Sequence, residues 1–95
     1  MENDIRQYTK AAELLKALAH PVRLCILQGL MQKGDCNVSH MQHCLELPQS
    51  TISMHLQKLR VAGVVEGERQ GLEVRYRIAN DQVRSLLSCI FVSEI

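Results

Sequence analysis

The apolar pattern of this chain changes period at Gly63. Upstream, apolar side chains recur at helical spacing. Downstream, Val74, Tyr76 and Ile78 alternate strictly with Glu73, Arg75 and Arg77, the mark of a half-buried strand. Proline sets the breaks within the helical part. The residue before a proline avoids the α region, so His20 ends one helix and Pro21 opens the next at its first position. Leu47-Pro48 repeats the device. This punctuation predicts helices at residues 5–19, 21–32, 37–45 and 48–61, strands at 64–69 and 73–78 joined at Gln70-Gly71, and a last helix capped by Asp81. The second helix is apolar on most sides and should lie at the centre. The order α-α-α-α-β-β-α is mainly α with a β-hairpin wing, a winged helix-turn-helix in one domain spanning residues 1–95.

There is no Trp, so the core must rest on Leu, Ile, Val, Ala and Met. A core of this size is marginal, and burial against a second copy would help. The formal net charge of +1 excludes a polybasic, indiscriminate nucleic-acid binder. The charge is uneven, however. Residues 48–80 carry five basic side chains against three acidic, while residues 1–47 carry five of each. That local excess suffices for phosphate steering, more so in a dimer. No apolar run approaches the roughly 20 residues of a membrane span. The start, Met1-Glu2-Asn3-Asp4, is polar and acidic, unlike a signal peptide. Cysteines scattered at 25, 36, 44 and 89 fit thiols in a reducing cytoplasm better than a disulfide frame. A cytoplasmic protein without a membrane partner is expected.

Residues 48–60 read as a helix with two faces. Ile52, Leu56 and Leu59 form an apolar stripe, and no residue of the segment is acidic. Gln49, Ser50, Thr51 and Ser53 crowd its first turns, with Lys58 and Arg60 later. Short amides and hydroxyls can hydrogen-bond base edges, and the cations suit phosphates. His55 is expected at a phosphate or in a structural hydrogen bond. Arg69, Gln70, Arg75 and Arg77 of the hairpin should reach flanking DNA. An ordinary amphipathic surface helix is the competing reading, and a winged helix that docks on protein is the alternative function. The absence of acids over 48–62 argues for DNA, since a protein-docking helix would more often show exposed apolar anchors. No Ser/His/Asp array, Gly-rich phosphate loop or close carboxylate pair is present, so no enzyme is expected.

Cys36, His40 and His43 fall on one side of the predicted helix 37–45, opposite Val38, Met41 and Leu45, with Cys44 at the edge. Their spacing is compatible with a Zn(II) or Cu(I) site, or with a solvated polar face. Cys25 is expected in the core of the central helix, and Cys89 buried at a dimer seam. Oxidation of these two thiols is the alternative.

Several runs resemble the ArsR/SmtB family of bacterial winged-helix repressors. They are Leu15-Lys16-Ala17-Leu18-Ala19-His20-Pro21-Val22-Arg23-Leu24, the stretch from Leu47 to Val65 with its Gln-Ser-x-x-Ser-x-His-Leu pattern, and the wing around Arg69-Gln70-Gly71 and 74–78. Among the branches, the wing and the Leu-Pro-Gln-Ser-Thr start are most similar to PagR-like repressors. The resemblance implies a homodimer built from the first and last helices, bound to double-stranded operator DNA of inverted-repeat type. Ile5, Tyr8, Leu15, Leu87, Ile90 and Phe91 are expected at the seam. The base-reading positions carry over as Gln49, Ser50 and Ser53, with Met54 where many members have His. The resemblance also implies relief of repression by a metal, metalloid or oxidant. Yet the family's Cys-Val-Cys thiolate pair falls on Asn37-Val38-Ser39, and no His follows Asp81. Neither usual metal site can form, so no metal and no cofactor are expected.

Overall fold

The helix boundaries follow polar caps. In the computed structural model, which describes residues 4–91, α1 (Ile5–Leu18) starts at Asp4, whose carboxylate accepts the Arg6 N–H at 3.1 Å. Helix α2 (Pro21–Lys33) starts at His20, whose ring Nδ1 accepts the Val22 N–H at 3.1 Å. Asn37 caps α3 (Val38–Leu45), accepting the His40 N–H at 2.8 Å. Pro48 precedes α4 (Gln49–Val61) without a side-chain cap. Asn80 caps α5 (Asp81–Ile90), accepting the Val83 N–H at 3.1 Å. Asp81, expected as that cap, is instead the first helical residue, where a carboxylate still favours the helix dipole. The acidic start, Met1 to Asn3, and residues 92–95 lie outside the described residues.

The predicted order lacked one strand. β1 (Cys36–Asn37), β2 (Val65–Gln70) and β3 (Glu73–Ile78) form an antiparallel sheet in the order β1-β3-β2. Cys36 pairs with Tyr76 and Asn37 with Arg75. Two residues are too few to carry a period, so pattern alone could not reveal β1. The wing turns at Gly71-Leu72, between Gln70 and Glu73. Gly71 has φ 66° at the first turn position, as a type II′ hairpin requires.

Helix α4 leaves for the sheet through a Schellman motif. Gly63 adopts φ 76°, its N–H bonds the Arg60 carbonyl at 3.0 Å, and the Val64 N–H reaches the Leu59 carbonyl at 2.9 Å. Between α3 and α4, Glu46 takes the left-handed conformation at φ 55°. The core lies beneath α4. Leu27 and Leu30 of α2 meet Ile52, Leu56 and Leu59 of α4, with Val64, Val83 and Leu87 around them. Each buried aliphatic side chain contributes about 1.5–3 kcal/mol. Helix α2 is central, as expected, with Ile26, Leu27 and Leu30 buried. Cys25 is not in that core, because it stands on the exposed edge of the helix. Among the described residues no single helix is long and apolar enough to cross a membrane.

Candidate nucleic-acid interface

Helix α4 is held by one face and offers the other. Ile52, Leu56 and Leu59 are buried, whereas Gln49, Ser50, Ser53, Met54, Gln57, Lys58 and Arg60 are exposed. Thr51 is half-buried. The exposed side chains stand as the helical period predicted, with no acid among them. The N–H groups of Gln49 and Ser50 have no intrahelical acceptor, as in any first turn, and no side chain caps the start of α4 in their place. Arg60 folds back on its own helix, its guanidinium donating to the Gln57 Oε1 at 2.9 and 3.2 Å.

His55 is not on the outward face. It is 5% exposed, and its ring centroid lies 4.4 Å from that of His20 at an interplanar angle of 43°. The expected phosphate contact is therefore corrected: this side chain points into the protein. The signal was present in the sequence. Residues 52, 55, 56 and 59 together make the i, i+3, i+4, i+7 stripe, and His55 sits inside it. His20 was read as a chain break, although the residue before a first-turn proline is the N-cap position.

The hairpin arginines are mostly engaged. Arg77 bonds Glu66 at 2.6 Å and Glu68 at 3.0 Å across the strands. Arg75 bonds Asp35 at 2.8 Å and approaches Glu73 at 3.6 Å. The Arg75 guanidinium holds the Asp35 carboxyl below its ordinary pKa. These pairs raise both arginines further above their usual range, first through the hydrogen bonds they donate to Asp35 and to Glu66. Exposed Arg69 has no ion-pair partner among the described residues. Beneath the wing, Gly67 lies opposite Tyr76. A methyl group on Gly67 would stand 3.0 Å from the Tyr76 ring and 3.0 Å from a Val74 methyl.

The cysteine and histidine face is split. Cys36 is buried on β1, contrary to a solvent-facing ligand set, and burial pushes its thiol up. His40 instead meets Cys44, with Nε2 3.5 Å from Sγ, and Lys33 Nζ contacts the same ring nitrogen. Among the described residues no three His, Cys, Asp or Glu side chains converge on a metal-sized point. Cys25, Cys36 and Cys44 line a cleft of about 250 Å³ between α2 and α3. Asn37, where the resemblance places a thiolate, caps α3 and donates through Nδ2 to Glu73 at 2.6 Å. Cys89 is exposed on this protomer. Of the expected seam residues, Ile5, Tyr8, Leu15 and Ile90 are exposed and Phe91 is half-buried. Leu87 is corrected: at 1% exposure it belongs to the protomer's own core.

Two short helices, a left-handed turn and a hairpin define a winged-helix DNA-binding domain. A family profile described as a helix-turn-helix domain matches residues 18–68. The transcriptional repressor PagR of Bacillus anthracis is 44% identical over 79 residues, 83% of this chain and 79% of that protein. Its crystal structure superposes with a TM-score of 0.83 at 40% identity, covering 93% of this chain and 100% of that one. The repressor SmtB of Mycobacterium tuberculosis is 44% identical over 81% of this chain, which spans 56% of SmtB. A homodimeric winged helix-turn-helix DNA-binding domain from Mycobacterium bovis, solved by NMR as a possible ArsR-family regulator, gives a TM-score of 0.84 at 33% identity. That match covers 94% of this chain and 83% of that one. The chain belongs to the ArsR/SmtB family of winged-helix transcriptional repressors, whose members are DNA-binding regulators and not enzymes.

Proposed function

We propose that residues 1–95 act as one DNA-binding and dimerisation unit, a homodimer that represses transcription from an inverted-repeat operator. The acid-free outer face of α4 carries the reading. It leaves Gln49, Ser50 and Ser53 available for base edges and Met54 for an apolar contact such as a thymine methyl. Lys58 and Arg69, with Gln70 at the hairpin end, serve the phosphates. Arg75 and Arg77 act chiefly by bracing the wing, because both are already paired with carboxylates.

The dimer reading is supported by Ile5, at 72% exposed, with Tyr8, Leu15 and Ile90 on helices α1 and α5. Apolar surface of this kind suits a two-fold seam, which would set the two α4 helices about 34 Å apart on successive major grooves. The M. bovis neighbour's homodimeric state agrees. Asn37 and Ser39 in place of thiolates support a repressor without the family's usual metal sites.

The test is selection of binding sequences from a pool of random duplexes, followed by sedimentation of the free protein and of its complex. Recovery of a two-fold symmetric site bound by two chains is expected. A monomer at micromolar concentration, or a pool that never enriches, would overturn the reading.

A further inference from the structure

We propose that His20 and His55 form a neutral ring-on-ring wedge that seats the recognition helix on the α1–α2 corner, making both histidines positioning residues for DNA reading from inside the protein. The inference rests on the DNA-reading function proposed above. No comparison assigns either residue a role.

The geometry gives each ring a reason to stay uncharged. His20 Nδ1 accepts the Val22 N–H, so it must carry a lone pair. A proton there would break the cap of α2 and set a cation at the helix N-terminus, where the dipole repels it. His55 is packed against that ring, and its own Nδ1 is buried with no hydrogen-bond partner among the described residues. The titratable and charged groups acting on His55 are His20 at the corner, Arg23 of α2 and Lys58 of α4 itself. All are cationic or can become so, and none can neutralise an imidazolium. Arg23 is fixed in place, donating to the Ala17 carbonyl of α1 at 3.0 Å. The wedge therefore joins the start of α2 to the buried face of α4, and Arg23 ties the same corner to the end of α1.

The sign of the pH effect separates this role from the DNA contact that sequence suggests. Burial first, then the neighbouring His20, Arg23 and Lys58, hold His55 below its ordinary pKa of 6.5. Acid must therefore drive a proton into a site that resists it, and α4 loses its seat as the pH falls below that range. A histidine on a phosphate behaves oppositely, because DNA favours its charged form and raises its pKa.

The experiment measures operator affinity relative to random duplex between pH 7.5 and 5, using the sequence recovered by selection, with histidine titration by NMR on the same protein. In the wild type the ratio should fall about tenfold across this span. His55→Gln should flatten the fall. His20→Asn keeps a competent cap but removes the ring that shields His55 from water, so it should move the His55 midpoint and the acid limb upward. A ratio that holds or rises in acid overturns the wedge. So does an operator-induced rise in the His55 midpoint, or a midpoint in free His20→Asn protein identical to wild type. Failure to discriminate any duplex at pH 7.5 strikes the DNA-reading function instead, and the free-protein titration still decides the wedge.

Discussion

Helix α4 and the wing both face the proposed DNA, and they are built by opposite rules. The helix keeps its outward polar side chains largely unoccupied and its first-turn N–H groups uncapped. The wing is richer in charge, yet Arg75 and Arg77 are bound to Asp35, Glu66 and Glu68. Counting cations would rank the hairpin as the stronger binder. Counting free donors reverses the order. The hairpin uses its charge to hold shape, and the helix holds shape through the core beneath it, leaving its surface for recognition.

The contrast breaks most readily at that core. Leu59→Ala should cost about 2–5 kcal/mol of unfolding free energy, because the Leu59 side chain is fully buried and its loss leaves a cavity. Denaturant titration measures it, and a cost under 1 kcal/mol would mean that α4 is seated by something other than its apolar stripe. Next comes reading. Gln49→Ala or Ser53→Ala should weaken operator binding by about 1–3 kcal/mol and random DNA far less. Equal losses on both would dissolve the distinction between the two regions.

The wing sharpens the comparison further. Arg69→Ala should lower the slope of log affinity against log salt by about 0.9 for each protomer, about 1.8 for the dimer, whereas Arg77→Ala should leave the slope nearly unchanged and act on stability. Matching slopes for the two variants would show that the ion pairs of Arg77 open on DNA. The smallest effect belongs to the turn between α3 and α4. Glu46→Gly removes a left-handed penalty of about 1–2 kcal/mol but frees the unfolded chain, for a net gain of about 0.5 kcal/mol visible as a raised Tm.

Much of this architecture could be read from the chain. Pro21, Pro48 and Gly63 fix three boundaries through local sterics, and the alternation of Val74, Tyr76 and Ile78 fixes the face of β3. What escaped reading depends on partners far along the chain. Cys36 lies on a strand only because Tyr76 is beside it, and Arg75 is engaged only because Asp35 is near. The exposed face of α4 was legible at Gln49, Ser50 and Ser53 because helical period decides exposure. Reading failed at His55, where a polar name outweighed a buried position, and at Leu87, which one protomer suffices to bury. Cys25 failed for the converse reason: apolar neighbours in sequence do not set its angle on the helix.

The two-residue strand β1 has a topological consequence. Its pairing with β3 closes a loop around α3, α4 and the wing tip, from Cys36 to Tyr76, and the Asn37–Glu73 hydrogen bond draws the same knot tighter. The side chains proposed to face DNA, from Gln49 to Gln70, lie inside that ring. Amides from α3 through β3 should therefore exchange with solvent by one shared opening, while α1, anchored mainly through Leu18 at its end, frays on a faster clock. The proposed reading surface is thus clasped at both ends by a pairing in which none of the proposed base-reading residues takes part.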